Sequence, residues 1–269
     1  MAGATTTLET GTEVLQPTSE QEAIEAFGDG TDTTVLAGGT IVVPDMTYGY
    51  LKPTRVLMLW GAGLAGIQRD GSRVTIGAMT PVQELVELPS PIGPCAANVA
   101  DVEIRSQGTV GGNLCAGQAR EAPRGDVQAA LIAVGAVVRS AGAGGERTEA
   151  VEEFLSGSEG RLVLDVSYEE PSAGGFAALD RTHTHDYTAL AVCAARTADG
   201  AIRLAASGVA GPAARLAAAE AKADDPEAAG AAAVGDVTFA DDALASAWYR
   251  ERTLPVLVRR ALTQLQEAT

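Results

Sequence analysis

Two short glycine-rich segments constrain the fold of this chain more than any other feature. The first is the run Val35-Leu36-Ala37-Gly38-Gly39-Thr40-Ile41, an apolar strand pattern that ends in two adjacent glycines and a hydroxyl. The second lies within residues 103–114 and contains Gly108-Thr109-Val110-Gly111-Gly112-Asn113. Paired glycines permit positive φ and let a ligand reach backbone N–H groups, and the flanking Thr and Asn add uncharged donors. Both segments therefore predict turns with the donors that a diphosphate needs.

Each segment taken alone is also typical of an ordinary turn between a strand and a helix. Neither is a Walker A loop, because no Gly-Lys-Ser or Gly-Lys-Thr follows. The spacing of Gly108, Gly111 and Gly112 also differs from the G-x-G-x-x-G fingerprint of dinucleotide-binding Rossmann domains. The sequence thus disfavours a Rossmann nicotinamide domain.

The charge balance of the chain excludes some classes of binding partner. The 269 residues include 35 acidic and 19 basic side chains, for a formal net charge of −16, whereas a nucleic-acid binder needs clustered Lys and Arg. In so acidic a chain, a dianionic ligand must be held by local backbone dipoles rather than by the overall field. We find neither an apolar run of about 20 residues nor the pattern of a signal peptide. We therefore expect a cytoplasmic protein that binds neither nucleic acid nor membrane.

The cysteines and histidines indicate no metal centre. Cys95, Cys115 and Cys193 are too widely spaced for a disulfide framework or for a cysteine metal motif. The only histidines, His183 and His185, would point to opposite faces of a strand, which disfavours a shared metal. We therefore predict neither a metal site nor an iron–sulfur cluster in this chain.

Hydrophobic periodicity predicts a mixed α+β protein. Ser19 and Glu22 form a capping-box pattern at the start of the first helix, and Asp199-Gly200 is typical of a hairpin. We expect a linker at 171–175 and a kink or restart of the last helix at Pro255. The predicted helices are 19–27, 81–88, 94–102, 129–134, 212–223 and 241–268, and the predicted strands are 34–37, 55–59, 74–79, 136–140, 161–168, 187–195 and 201–209.

The order of several motifs resembles the FAD-binding medium subunit of the molybdenum hydroxylases, the carbon monoxide and xanthine dehydrogenase family. The resemblance covers almost the whole chain and rests on an ordered set of segments. In the N-terminal part they are Ala37-Gly38-Gly39-Thr40, residues 75–80, Ile104-Arg105-Ser106-Gln107-Gly108-Thr109-Val110-Gly111-Gly112-Asn113-Leu114 and residues 126–131. In the C-terminal part they are His185-Asp186-Tyr187-Thr188-Ala189-Leu190-Ala191-Val192, Ala247-Trp248-Tyr249-Arg250 and residues 257–262.

The resemblance implies a fold and a cofactor. The implied fold is a PCMH-type FAD-binding domain at residues 1–170, made of two α/β subdomains at about 1–60 and 61–170. A C-terminal flavoprotein domain at 171–269, an antiparallel sheet plus helices, follows. FAD would be bound non-covalently between the two subdomains. The implied cofactor-binding residues are Val35, Leu36, Ala37, Gly38, Gly39, Thr40, Ile41, Thr109, Val110, Gly111, Gly112, Asn113, Asp126 and Val163.

The same resemblance implies the role of each site. Both glycine loops would hold the diphosphate, and Asp126 would lie near the ribityl chain. From the sequence alone, Asp126 is equally typical of an N-cap for the helix that follows. Val163 would pack near the isoalloxazine, although a plain core valine is the simpler interpretation, and Arg105 would brace its loop. Redox chemistry belongs to the flavin, so we expect no catalytic side chain.

The implied function is electron relay within a larger enzyme. A molybdenum–pterin large subunit would oxidise the substrate, a small subunit would carry [2Fe–2S] clusters, and the FAD would pass electrons to an acceptor such as NAD. Two features depart from the family: a long loop within 114–125, and Ala178 where many members carry a lysine. A free-standing flavoprotein oxidoreductase and a non-catalytic nucleotide-binding or scaffold module remain alternative interpretations.

Overall fold

The computed structural model describes residues 3–7, 11–118, 125–179, 181, 183 and 187–268, and the fold is discussed for these residues. They form three sheets, of four, five and four strands, each packed with helices. The mixed α+β class predicted from the sequence is confirmed. Among the described residues, no helix combines the length and the apolar character that crossing a bilayer requires.

The first sheet is mixed and belongs to the N-terminal segment. Its strand order is β1-β2-β4-β3; β1 and β2 are antiparallel, and β4 is parallel to both β2 and β3. The helix α1 starts as predicted, because Ser19 Oγ accepts a hydrogen bond from the Glu22 amide at 3.2 Å. The elements are β1 (Ala4–Thr7), β2 (Glu13–Gln16), α1 (Glu20–Phe27), β3 (Thr33–Leu36), α2 (Val42–Thr47) and β4 (Arg55–Met58).

The second sheet is antiparallel and has the strand order β5-β6-β9-β7-β8. Buried side chains of β6, β7 and β9 pack against α3 and α6 to form the largest core. The elements are β5 (Ile67–Asp70), β6 (Arg73–Gly77), α3 (Ile92–Ala97), α4 (Val102–Gln107), α5 (Val110–Leu114), α6 (Gln128–Ala133), β7 (Val137–Gly142), β8 (Arg147–Ala150), α7 (Val151–Ser156) and β9 (Arg161–Glu169).

Strand β9 joins the first two sheets through its two faces. Leu162 and Leu164 pack in one core with Phe27 and Leu57 of the N-terminal segment, whereas Val163 belongs to the core formed with α3 and α6. Successive side chains of a strand point to opposite faces, so one strand supplies both cores. The first two subdomains are thus held together by apolar packing as well as by the connecting chain.

The C-terminal segment forms a third, antiparallel sheet with the order β10-β11-β12-β13, and the long helix α10 packs on it. The predicted hairpin is confirmed: β11 and β12 pair directly, and Gly200 has a φ of 86° in the turn. The elements are β10 (Ala173–Ala178), β11 (Ala191–Arg196), β12 (Ile202–Ser207), β13 (Ala214–Arg215), α8 (Ala217–Glu220), α9 (Pro226–Ala233) and α10 (Ala247–Glu267).

Several predicted elements are wrong in type or extent. The predicted helix at 94–102 is two helices, because Ala100 has a φ of 39° and Asp101 caps α4 by accepting from the Ile104 amide. The predicted helix at 81–88 is a single 3-10 segment, Val82–Glu87. The region 212–223 is mostly non-helical, since its alanines fit a short strand and one helical turn equally well. Strand β11 begins only at Ala191.

The predicted linker at 171–175 is also corrected, since β10 begins at Ala173. Its glycines serve close packing: a Cβ at Gly174 would collide with the Ser90 carbonyl, and one at Gly175 with the Ala261 carbonyl of α10. Helix α10 runs through Pro255 without a restart. The hydrogen bond that proline removes would end on Glu251, an exposed residue whose carbonyl water can satisfy.

An arginine-centred cluster links the N-terminal segment to the second sheet. The Arg139 guanidinium donates from both Nη atoms to the Glu20 carboxylate, at 2.7 and 2.8 Å. Its Nε donates to Asp165 at 2.7 Å, and Nη1 also reaches Glu146 at 3.1 Å. These carboxylates raise the pKa of Arg139 above its usual value, and Arg139 in turn lowers the pKa of Glu20.

Glu20→Gln tests this link. We expect a loss of about 0.5–1 kcal/mol in the free energy of unfolding at pH 7, because both partners are partly exposed. Arg139 keeps the folded pKa of Glu20 below its ordinary value of 4.5. The contribution is therefore complete above that pH and disappears as the pH falls through the folded pKa. Urea unfolding at pH 7 and pH 3 measures it.

The control is Glu25→Gln, which removes the same charge from an exposed position of α1 that makes no ion pair. An equal loss for Glu20→Gln at both pH values would contradict the assignment of the effect to the ionised pair.

Candidate functional site

A cavity of about 620 Å³ opens between the first two subdomains, and both glycine-rich segments line it. The structure brings the sequence-predicted site residues to this one place, except for Leu36 and Val110, which are buried behind the wall. The predicted residues that line the cavity are Val35, Ala37, Gly38, Gly39, Thr40, Ile41, Thr109, Gly111, Gly112, Asn113, Asp126 and Val163.

The first glycine loop, residues 37–41, offers backbone donors to the cavity. The chain leaves β3, turns at Gly39 with a φ of 74°, and enters α2. In the described part of the chain, the amides of residues 38–41 donate no hydrogen bond to any other group. The start of the loop is fixed, because Trp60 Nε1 donates to the Ala37 carbonyl at 2.7 Å. Four consecutive amides therefore remain available for an anionic ligand.

The second glycine loop, residues 108–113, is held in place by hydrogen bonds that its own amides donate. The Val110 amide donates to Thr80 O at 2.9 Å, and the Gly111 amide donates to Ala78 O at 2.8 Å. Thr109 caps α5, because its Oγ1 accepts from the Gly112 amide at 3.1 Å. This loop thus presents a rigid wall, with fewer open donors than the sequence led us to expect.

The glycines of the two loops have different roles. A Cβ at Gly38 would collide with the carbonyl oxygen of Gln107, so this glycine lets the first loop touch the chain that enters the second. A Cβ at Gly111 would lie 3.0 Å from Ala78 Cβ, so this glycine is needed for packing. A Cβ at Gly112 would meet only Thr109 Oγ1, at 3.0 Å. Of Gly111 and Gly112, only Gly112 is exposed, and it borders the empty space of the cavity.

Asp126 is positioned by bonds on both sides of it. Its carbonyl accepts from Cys95 Sγ at 3.2 Å, and the next amide, that of Val127, donates to Asn113 Oδ1 at 3.0 Å. The alternative interpretation of Asp126 as a helix N-cap is wrong, because Val127 occupies that position of α6. Asp126 instead contributes to the cavity wall.

The ends of the long loop within 114–125 are clamped together. Besides the bond from Val127 to Asn113, Gln128 Nε2 donates to Leu114 O at 2.7 Å, and Gln128 Oε1 accepts from the Ala213 amide at 3.0 Å. Gln128 is almost completely buried. Residues 119–124 of this loop lie outside the described residues. These hydrogen bonds, made by Val127 and Gln128 at the start of α6, therefore hold the neighbouring Asp126 in place.

Arg105 braces the cavity rim, as the resemblance led us to expect. Its Nη1 donates to Val99 O at 2.9 Å and to Ala100 O at 3.0 Å, and its Nε donates to Gln83 Oε1 at 2.8 Å. Ala100 O also accepts from Arg181 Nη2 at 3.1 Å. These bonds hold the positive φ of Ala100 at the edge of the cavity.

Sequence reasoning missed other residues of the cavity wall. The turn formed by Ser158, Glu159 and Gly160 lines it, followed by Arg161 at the start of β9. Nothing in the sequence near these residues resembles a ligand-binding pattern. Tyr187 also lines the cavity, and the quoted segment 185–192 is the signal by which it might have been found. His185 and Asp186 of that segment lie outside the described residues.

The remaining sequence-predicted features lie as follows. Cys115 is accessible from the cavity, but the protein atoms around it raise the pKa of its thiol to about 12, which keeps it neutral near pH 7. Ala178 ends β10, paired with Ala191, and does not line the cavity. Within the described part of the chain, no group of three or more His, Cys, Asp or Glu side chains is arranged to hold a metal ion.

The N-terminal part of the chain matches a known protein family. The family described as the FAD binding domain in molybdopterin dehydrogenase matches residues 9–167. The chain is 33% identical over 150 residues to the carbon monoxide dehydrogenase medium chain of Hydrogenophaga pseudoflava, a match that covers 53% of this chain and 51% of that protein. It thus spans about half the length of this relative.

Longer matches support the same family. The nicotine 6-hydroxylase medium subunit of Paenarthrobacter nicotinovorans is 25% identical over 92% of this chain and 95% of its own length. A solved structure of carbon monoxide dehydrogenase from Hydrogenophaga pseudoflava superposes with a TM-score of 0.82 at 28% identity, and covers 94% of this chain and 96% of the other.

Gly38→Ala tests the contact between the loops. Because the new Cβ would collide with the Gln107 carbonyl, we expect a destabilisation of about 1–3 kcal/mol, measured by urea unfolding. The matched control is Gly112→Ala, whose Cβ meets only the end of the Thr109 side chain and which should change the free energy of unfolding by less than about 1 kcal/mol. Equal effects of the two substitutions would refute the contact.

Proposed function

This chain belongs to the family of FAD-binding domains in molybdopterin dehydrogenases, and on that basis we propose that it is the FAD-carrying electron-transfer subunit of a molybdenum hydroxylase. The observation that carries the proposal is the row of four open amides at residues 38–41, which faces the same cavity as the second glycine loop. Uncharged backbone donors suit a diphosphate in a chain whose net charge is −16.

We assign the parts of FAD to the wall as follows. The diphosphate binds the amides of residues 38–41 and approaches Gly112, where the absence of a side chain leaves room. Asp126 accepts hydrogen bonds from ribityl hydroxyls, a charge-assisted contact worth about 1.5–3 kcal/mol. Val163 and the apolar wall beside it pack near the isoalloxazine. This set of residues fits the cofactor, because backbone amides suit the diphosphate, a carboxylate suits the ribityl hydroxyls and an apolar surface suits the isoalloxazine.

When bound, FAD supplies the capacity to accept electrons and to pass them on. The residues of this chain bind, orient and shield it, and we propose no side chain as an acid, a base or a nucleophile.

The proposed complex has two further subunits. Three cysteines, of which Cys95 and Cys193 are buried in the core, are too few for two [2Fe–2S] clusters. We therefore propose that a small subunit carries these clusters and that a large subunit binds molybdopterin and oxidises the substrate. Medium chains or subunits among the relatives agree with this division. NAD is the acceptor that we propose, and the complex acts in the cytoplasm.

FAD uptake tests the site. The purified chain should hold about one FAD, identified by its absorbance and by the mass of the cofactor released on heating. Gly112→Val should lose this FAD, because the new side chain fills the space beside the open amides. Gly235→Val is the control, since no atom lies within 4 Å of its Cβ position. Full FAD content in folded Gly112→Val would contradict the assigned site.

The composition of the native complex tests the larger role. A tagged chain purified from its own cells should bring with it molybdenum and iron in a fixed ratio to flavin, and reduction of its flavin by substrate should be followed by electron transfer to NAD. A chain that holds FAD alone and is reduced directly by a small metabolite would favour a free-standing flavoprotein instead. A chain that takes up no FAD would favour a binding or scaffold role.

A further inference from the structure

Arg161 carries a buried positive charge in the wall of the cavity. It is the first residue of β9, only 8% of it is exposed, and it lines the cavity. All its hydrogen-bond partners are neutral: Ser140 Oγ at 3.1 Å from Nε, Ser140 O at 2.7 Å from Nη2, and Ala143 O and Gly145 O at 3.3 and 3.0 Å from Nη1. No ion pair joins this guanidinium to any residue that the structure describes.

Arg161 differs in this respect from Arg203 and Arg250, whereas Arg105, which also lines the cavity, likewise has only neutral partners among the described residues. Arg203 pairs with Glu152, and Arg250 pairs with both oxygens of Asp242. Burial lowers the pKa of Arg161, and the positive charge of Arg147 adds to this effect, whereas the carboxylate of Glu149 partly opposes it. An arginine nevertheless stays protonated at neutral pH. The cavity wall therefore holds a permanent positive charge that no carboxylate neutralises by direct contact.

The position of Arg161 along β9 indicates which side of the cavity this residue lies on. Val163 lies two residues further on, and side chains at i and i+2 point to the same face of a strand. Both residues line the cavity. Val163 is the residue that we placed near the isoalloxazine, so Arg161 lies on the flavin side of the site. A buried charge acts on neighbours beyond direct contact, because little water lies between them to screen it.

We propose that Arg161 is a redox-tuning residue whose positive charge stabilises the anionic, reduced form of the flavin. This inference rests on the proposed function. The step is FAD + 2 e⁻ + H⁺ → FADH⁻, with both electrons supplied by the reduced iron–sulfur donor of the proposed small subunit. The product carries one more negative charge than the oxidised isoalloxazine, so a nearby cation favours reduction.

The sharpest test neutralises the charge without removing the guanidinium. Ser140 is fully buried, and both its Oγ and its carbonyl bind Arg161. Ser140→Asp places a carboxylate against Arg161, and Ser140→Asn places a side chain of the same shape without the charge. We expect Ser140→Asp to lower the preference for reduced over oxidised FAD about tenfold relative to Ser140→Asn. For a two-electron couple this corresponds to a midpoint potential about 30 mV lower.

A second pair of variants removes the charge directly. Arg161→Gln should lower the midpoint potential of the bound flavin by a similar amount, and Arg161→Lys should keep it near the wild-type value. If Arg161 only held the carbonyls of residues 140–145, both substitutions would lower stability and neither would move the potential. Arg260→Gln, which removes the same charge from an exposed residue of α10 outside the cavity lining, is the control for net charge.

The potentials are measured on the full chain with its bound FAD, by equilibration with a redox dye of known potential. Lower potentials in Ser140→Asp and in Arg161→Gln, with Arg161→Lys unchanged, support the inference. Potentials of Ser140→Asp and Ser140→Asn that agree overturn it, as does a shift in Arg161→Gln no larger than that in Arg260→Gln. If the Arg161 variants do not fold, the Ser140 pair decides. A wild-type chain that takes up no FAD overturns the proposed function and this inference together.

Discussion

The site depends on a backbone contact that only glycine permits. At Gly38 the first loop meets the carbonyl of Gln107, so two separate subdomains touch at the edge of the cavity. The open amides of residues 38–41 and the second loop then line the same cavity beside this contact. A side chain at position 38 would push the loops apart, and the donors would then face open solvent. The shape of the cavity therefore depends on the absence of a Cβ atom at position 38.

The two loops divide the work of binding an anion. Amides of the second loop donate hydrogen bonds to the carbonyls of Thr80 and Ala78, so this loop forms a fixed wall. The amides of the first loop donate to no other group in the described residues. An acidic chain can carry such a site because the attractive groups are dipoles at close range, and because solvent and salt screen the exposed negative side chains. The cluster around Arg139 is one example: three carboxylates surround one guanidinium at the joint between the subdomains.

The sequence was informative wherever local chemistry decides the structure. The cap at Ser19, the hairpin at Asp199-Gly200 and the meeting of the two glycine loops could all be predicted, because each depends on residue types at fixed spacing or on an ordered set of motifs. Ala100 could not: nothing in its sequence context indicates a positive φ, and the bonds that its carbonyl accepts from Arg105 and Arg181 exist only in the folded chain. Arg161 was missed for the same reason, since its burial and its neutral partners exist only in the folded chain.

The clamp formed by Asn113, Leu114, Val127 and Gln128 makes the geometry of the site independent of the length of the loop between them. Both ends of the stretch between residues 114 and 127 are fixed by side-chain hydrogen bonds to backbone groups, so the cavity wall does not depend on how many residues lie between them. The entropy of closing a loop rises only slowly with its length. This position is therefore a place where the chain can gain or lose residues without moving Asp126.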